Sequence, residues 1–285
     1  MINAKILLDS VNPAGNRITT FVLDFPRWIL AELNTHRTFS RNTASSRAIP
    51  IEKMIKMVRE TPAMPVFWGK NRAGMQSKEE LVGSELLNAK EAWLRARDRA
   101  VESAEELMEC GMHKQYANRA IENFLYVKTI LTGTEFENFF ALRAHADTQP
   151  EFQDLAYKML DIYQLSEPKK LKEGEWHIPF GDKLDETRLT EVYYQTAIPH
   201  EELKLRIATA RCARVSYLNF EGKDDYNKDI ELSETLSSSG HWSPFEHCAM
   251  AMSASEFSGN FKGWKQYRKT FYGENRGDGR VQKFN

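Results

Sequence analysis

Fifteen residues from Asn34 to Ala48 carry four arginine or histidine side chains, six hydroxyl residues and two asparagines, with Phe39 the one large apolar side chain among them. A stretch this polar reads as loop and not as core. The segment before it, Pro26 to Leu33, is apolar and reads as a short helix with proline in its first turn. A helix that runs into a cationic, hydroxyl-rich loop is a natural holder of phosphate. Arginine supplies planar bidentate donors, and Ser and Thr supply hydroxyls for the remaining oxygens. The alternative is a solvated surface loop, and composition alone leaves both open.

The rest of the chain limits the class of protein. Its 285 residues, 41% hydrophobic and 28% charged, make one large domain or two modest ones. A formal net charge of -1 gives no global field for nucleic acid, so any phosphate binding is local. No apolar run is long enough to span a bilayer. The start, Met1 to Lys5, lacks the form of a signal peptide. Cys110, Cys212 and Cys248 are odd in number and far apart, which fits a reducing compartment. We therefore expect a cytoplasmic protein with no membrane or nucleic-acid partner.

Hydrophobic periodicity predicts a strand pair, 4–11 and 17–25, joined through Asn12-Pro13-Ala14-Gly15. Helices are predicted over 51–59, 78–110 (ended by Gly111), 114–125 and 149–163, and again over 202–211 and 229–238. Between about 164 and 200, Pro168, Gly174, Pro179, Gly181 and Pro199 punctuate a long irregular connection. Residues 248–254 read as a small-residue strand and 261–269 as a helix, followed by a Gly-rich polar tail. The second strand–helix unit echoes the one at 18–37, as a trimmed duplication would.

Three separated motifs carry a resemblance. His36-Arg37, seven residues, then Ser45, with Asn42 and Arg47 flanking, is the first. Phe139-Phe140-Ala141-Leu142-Arg143 followed by Gln149-Pro150-Glu151 is the second. Ala213-Arg214-Val215-Ser216-Tyr217 with His241-Trp242-Ser243-Pro244-Phe245-Glu246-His247 is the third. Together they resemble the flavin-dependent thymidylate synthases (ThyX). In that family the third pair of segments precedes the first, so the chain resembles a circularly permuted member. Permutation is tolerated where termini lie close together at the surface. The fold implied is α+β: an antiparallel or mixed sheet with helices packed around it, mostly helical by residue count, in permuted order. We expect a single catalytic domain over 1–285. It would comprise an N-terminal segment (residues 1–163), the connection, and a permuted C-terminal segment (residues 201–285).

The resemblance implies methylation of dUMP at C5 to give dTMP, without a cysteine nucleophile. Methylenetetrahydrofolate would be the one-carbon donor, reduced FAD the reductant and NADPH the source of electrons. It implies that His36, Arg37, Asn42, His241, Ser243 and Glu246 bind cofactor and that Ser45 and Arg47 hold the nucleotide phosphate. Arg143 would contact the pyrimidine and stabilise the charge developing on it. Arg119 is the expected further nucleotide contact, and Gln266 another. A homo-oligomer is implied, the family's form being a homotetramer.

Each residue has a plainer reading. Arg143 at a helix end answers the helix dipole. His241 and His247 lack companions for a metal set, so no metal is expected. Trp242, Phe245, Trp264 and Tyr267 suit packing. Cys212, between Arg211 and Arg214, is the thiol to check as a nucleophile, although buried structural cysteines are the commoner case. The chain also departs from the family. Thr35 replaces an arginine, Thr43 a glutamate and Glu32 a glutamine. These changes keep open dCMP as substrate, a hydroxymethyl product, or a non-catalytic flavin- or nucleotide-binding protein.

Overall fold

The computed structural model describes residues 1–216 and 225–275. Tyr217 of the third motif and the tail from Arg276 lie outside the described residues. Strands β1 (Asn3–Val11) and β2 (Arg17–Pro26) form the predicted antiparallel pair. Its turn is closed by Asn12, whose Oδ1 accepts the Asn16 N–H at 2.7 Å. A 3₁₀ turn, Arg27–Ile29, leads into α1 (Leu30–Leu33). Next come β3 (Ser40–Thr43), α2 (Ile51–Glu60), α3 (Gly83–Glu109), α4 (Lys114–Ala117) and β4 (Tyr126–Gly133). Then α5 (Glu137–Arg143), α6 (Pro150–Leu165), β5 (Lys169–Lys170) and β6 (Trp176–His177) follow. The C-terminal segment holds α7 (Glu186–Thr196), α8 (His200–Ala213), α9 (Tyr226–Ser238), β7 (Ala249–Ala251), β8 (Phe257–Ser258), β9 (Phe261–Lys262) and β10 (Trp264–Gln266).

The main sheet has the order β3-β4-β2-β1-β5, antiparallel except for the short β1–β5 pair. Side chains alternate between its two faces. Phe21, Leu23 and Phe25 of β2 and Val127 and Leu131 of β4 face one way. They pack against α5 and α6, where Phe152, Leu155, Ala156 and Met159 recur at the spacing of one helical face. The opposite face presents Thr20 and Val22 of β2 and Ile130 and Thr132 of β4. Val22 and Ile130 pack with Cys212 and Val215, so the C-terminal segment covers this face. A satellite core joins α2, α3 and the turns after α4. The architecture is α+β, with helical residues outnumbering strand residues.

Four local expectations change. The polar loop contains a strand, β3, because the open edge of β4 pairs with it from Ser40↔Thr132 to Thr43↔Thr129. The helix at 114–125 gives way to 3₁₀ turns at Asn118, whose buried Nδ2 donates to the carbonyls of Ser46 (2.6 Å) and Ile49 (3.0 Å). The connection holds a helix, α7, capped by Asp185, which accepts the N–H groups of Thr187 and Arg188. Residues 261–269 form two strands and a 3₁₀ turn instead of a helix, so the helical half of the expected duplication is not built. Gly263 is the breaker, at φ 76°.

Gly263 also fastens the C-terminal segment to the β1–β2 turn. Its carbonyl accepts from Asn12 Nδ2 at 2.7 Å, and the next residue, Trp264, donates from Nε1 to the Asn16 carbonyl at 3.1 Å. A Cβ on Gly263 would lie 2.4 Å from Asn16 Oδ1, whereas one on Gly15, at φ 80°, would meet open space. Gly263→Ala should therefore destabilise by about 1–3 kcal/mol from the left-handed backbone alone, plus the clash. Gly15→Ala should cost only the backbone contribution. Urea midpoints of the two variants check this, and equal losses would contradict the docking role.

Candidate active site

The alternation of β3 distributes the signature segment between the two sides of the sheet. Arg41 and Thr43 face the α5–α6 side, where Thr43 meets Thr129 Oγ1 at 2.9 Å and Arg41 donates to the carbonyls of Leu33 (3.2 Å) and His36 (2.6 Å). Arg41 thus ties the strand to the end of α1. Ser40 and Asn42 face the C-terminal segment.

On the first side His36 sits among Phe39, Phe139 and Phe152, with ring centroids 5.0 to 6.1 Å away. Arg143, at the end of α5, donates from Nε to His36 Nε2 at 2.9 Å and from Nη1 to Glu32. Its guanidinium also lies 5.0 Å from the centre of the Phe152 ring. Burial, with Arg143 and Arg41 adding repulsion, pushes the His36 imidazole down to about 4. His36 is therefore neutral near pH 7 and accepts the Arg143 proton at Nε2.

On the other side Ser40 donates to Glu246 Oε2 at 2.7 Å, and Glu246 Oε1 accepts from Arg268 at 2.6 Å. Gln266, buried, donates to Asn260 Oδ1 at 2.8 Å and to Ser40 at 3.2 Å. Glu274 completes the group by pairing with both Arg268 and Lys269. Next to it, Asn42 reaches the fully buried His247.

Past β3 the chain turns at 44–49 beside a cavity of about 390 Å³. Ile49, Met54, Met57, Leu125 and Val127 give it an apolar wall, and Arg27, Lys53, Lys128 and Asp24 supply its charge. Arg27 pairs with Glu122 at 3.1 Å, and Glu122 also accepts from Ser46 and Arg119. Lys128 lies 3.6 Å from Asp24 across the β2–β4 ladder. Ser45, Arg47 and Arg37 have no side-chain hydrogen bond or ion pair among the described residues, and both arginines are exposed.

The sequence profile of the Thy1 family, thymidylate synthase complementing protein, matches residues 16–169, more than half of the chain. The chain belongs to this family. A solved structure, the UMP/dUMP methylase PolB from Streptomyces cacaoi bound with 5-Br UMP, is similar at 16% identity and a TM-score of 0.47, over 58% of this chain and 89% of that one. Comparison with curated proteins gives no match. The Thy1 match takes in the signature segment, Arg143 and most of the main sheet, and ends at β5. His241, Ser243, Glu246 and Gln266 fall outside it.

Within this Thy1 member the expected site residues form three groups. His36 and Arg143 touch each other. Glu246 and Gln266 meet on Ser40. Ser45, Arg47 and Arg119 gather around the 44–49 turn, with Arg119 joined to it through Glu122 and Ser46. Arg37 is exposed at the start of the loop, while His241 and Ser243 are exposed on the C-terminal segment. His241 Nδ1 lies 2.8 Å from Ser239 Oγ. Lys53, Lys128 and His177 were not anticipated, and Ser40 and Arg41 of the signature segment had been given no role of their own. The first three stand singly in the chain, and the roles of Ser40 and Arg41 follow only from the pairing of β3 with β4 and the cover of the C-terminal segment.

No helix among the described residues is long and apolar enough to cross a membrane. No group of three or more His, Cys, Asp or Glu among them could hold a metal. Cys212 and Cys248 are fully buried, and burial pushes both thiols up, so both stay protonated at neutral pH. Arg214, near Cys212, is spent on Asp229 at 2.8 Å.

The His36 environment sets a pH dependence. The folded state holds this imidazole neutral to about pH 4, whereas the unfolded chain protonates it near 6.5. Its contribution to stability is complete above pH 6.5 and is lost as pH falls toward 4. An NMR titration of His36 should give a midpoint near 4. Arg143→Gln should raise that midpoint without restoring 6.5, because burial is the larger cause. A wild-type midpoint at 6.5 would contradict this geometry.

Proposed function

We propose that the chain is a flavin-dependent methylase of a deoxypyrimidine monophosphate, converting dUMP to dTMP at C5 with methylenetetrahydrofolate as carbon donor. Thy1 membership supports the reaction class. The protonated state of Cys212 and Cys248 supports a route without a thiolate. The observation that carries the reading is the cavity beside the 44–49 turn. It offers an apolar wall for a base and cations for a phosphate, and Ser45 and Arg47, with uncommitted donors, flank Ser46 of its lining.

In this reading Arg47, Lys53 and Arg27 bind the phosphate, while Ser45 and Arg119 complete the turn around it. Arg143 does not line this cavity, and its role follows from the family resemblance: to stabilise negative charge developing on the pyrimidine, oriented by Glu32 and His36. The residues expected to hold FAD include three exposed ones, Arg37, His241 and Ser243. A guanidinium, an imidazole and a hydroxyl suit the diphosphate of that cofactor. Reduced FAD would supply the hydride that completes the methyl group, with NADPH as its reductant. Asn42 and Glu246 hold the backbone that carries these groups. We take residues 201–285 as the permuted counterpart of the family's N-terminal segments. The Ser243–His247 turn packs on β3, where such a counterpart would have to lie. We take the working form to be a homo-oligomer.

Glu32 favours a second reading. A carboxylate beside Arg143 accepts hydrogen bonds, and cytosine presents an amino donor where uracil presents an acceptor. Purified protein should be incubated with FAD, NADPH, methylenetetrahydrofolate and an equal mixture of dUMP and dCMP, and the nucleotides analysed by mass. A methyl gain on dUMP is expected. A gain on dCMP, or an added hydroxymethyl group, would shift the specificity to the second reading. No change to either nucleotide, with flavin bound, would leave a binding protein. Arg47→Ala and Lys53→Ala should each raise the nucleotide KM roughly 10-fold, the scale of one charge-assisted hydrogen bond.

A further inference from the structure

Six side chains form an unbroken hydrogen-bonded chain through the sheet. Asn42 meets His247 Nε2 at 3.1 Å, and His247 Nδ1 meets Thr132 Oγ1 at 2.8 Å. Thr132 and Thr20, paired across β4 and β2, lie 2.8 Å apart. Thr20 meets His177 Nε2 at 2.9 Å, and His177 Nδ1 meets Ser10 Oγ at 2.9 Å. Every member after Asn42 is fully or almost fully buried. Three members belong to the Thy1-matching residues, two lie beyond the match, and Ser10 precedes it.

The direction of the chain follows from its Asn42 end. One polar atom of the Asn42 amide faces His247 Nε2 at 3.1 Å, the Arg41 carbonyl at 3.1 Å and the Ser243 carbonyl at 3.3 Å. Carbonyl oxygens only accept, so the atom facing them is the amide nitrogen. His247 Nε2 must then accept as well, which leaves its proton on Nδ1. Each neutral imidazole has one donor and one acceptor, and each hydroxyl has one proton. Nδ1–H of His247 therefore donates to Thr132, Thr132 to Thr20, Thr20 to His177 Nε2, and His177 Nδ1–H to Ser10. Burial keeps both imidazoles neutral, at about 3 for each.

We propose that Asn42 is a positioning residue: its amide, fixed by the carbonyls of Arg41 and Ser243, sets the tautomer of both buried histidines and so locks the C-terminal segment onto the signature strand. Neither histidine can change tautomer alone, because one reversed bond leaves two donors or two acceptors facing each other inside the protein, where an unmade hydrogen bond is costly. The inference concerns how the site is held and does not rest on which nucleotide is methylated.

The test is ¹⁵N NMR of the imidazoles in histidine-labelled protein at mildly alkaline pH, with His177→Gln and His247→Gln for assignment. In the wild type both histidines should show a protonated Nδ1 and a bare Nε2. In Asn42→Asp the carboxylate can only accept, so the whole chain should reverse and both histidines should become Nε2–H. A merely structural role for Asn42 would move neither signal at His177, four hydrogen bonds away. A wild-type Nε2–H at either ring would overturn the proposal. So would a reversal at His247 that leaves His177 unchanged, or an Asn42→Asp protein with unchanged tautomers. If Asn42→Asp does not fold, the wild-type spectrum still decides.

Discussion

The arrangement depends on Phe39 seated over Gly133. A Cβ on Gly133 would lie 2.6 Å from Phe39 Cδ1, so only glycine lets the ring in. The ring then stacks on Phe136 at 4.7 Å and meets Phe139 at 5.3 Å. Phe39 is the one large apolar residue in a polar segment, and its burial contributes roughly 1.5–3 kcal/mol. It does so at the first position before a strand of only four residues, where little else sets the register. A slip of one residue would turn every side chain of that strand to the other face. Arg41 would leave the end of α1, and Ser40 and Asn42 would leave Glu246 and His247. One aromatic contact thus decides which polar groups of the segment reach which half of the chain.

Charge is sorted by depth around this strand. Three half-buried cations all have carboxylates: Arg143 has Glu32, Arg268 has Glu246 and Glu274, and Arg27 has Glu122. Removing an unpaired guanidinium from water is costly; carboxylates offset that cost for these three, and the carbonyls of Leu33 and His36 do so for Arg41 on β3 itself. Arg37, Arg47 and Lys53 are exposed and need no such partner. They are the groups whose charge a ligand can use without breaking an existing bond. Lys53, on α2, lines the cavity together with paired Arg27, and Arg47 follows Ser46 of its lining.

Much of the fold was legible because it rests on local rules. The β1–β2 pair announced itself through a Pro-Ala-Gly turn between apolar runs, and α6 through its hydrophobic period. Arg143 and His36, 107 residues apart, were both singled out by motif, and the structure brings them within 2.9 Å. What stayed hidden depends on tertiary pairing. Strand β3 has a composition that suits loops, and only the open edge of β4 makes it a strand. The helix expected at 261–269 fails because Gly263 takes a left-handed turn to reach Asn12 and Asn16. His177 lies in a Pro- and Gly-punctuated connection with no pattern around it, yet it is bonded at both ring nitrogens.

The pairing of Arg143 with Glu32 carries a constraint for any chemistry at this end of the sheet. The guanidinium donates to a neutral imidazole on one edge and to a carboxylate on the other, so its plane is fixed before a ligand arrives. Its charge is also largely compensated. A ligand that draws on Arg143 must either displace Glu32 or accept a field weaker than that of a bare arginine. Displacement would leave a carboxylate that is only about one-third exposed in search of a new donor. The same residue that orients Arg143 therefore opposes an acceptor placed against it and favours a donor beside it. In the second reading proposed above, selectivity between two pyrimidines that differ in one donor and one acceptor would come from this single carboxylate, without any change in the backbone that carries it.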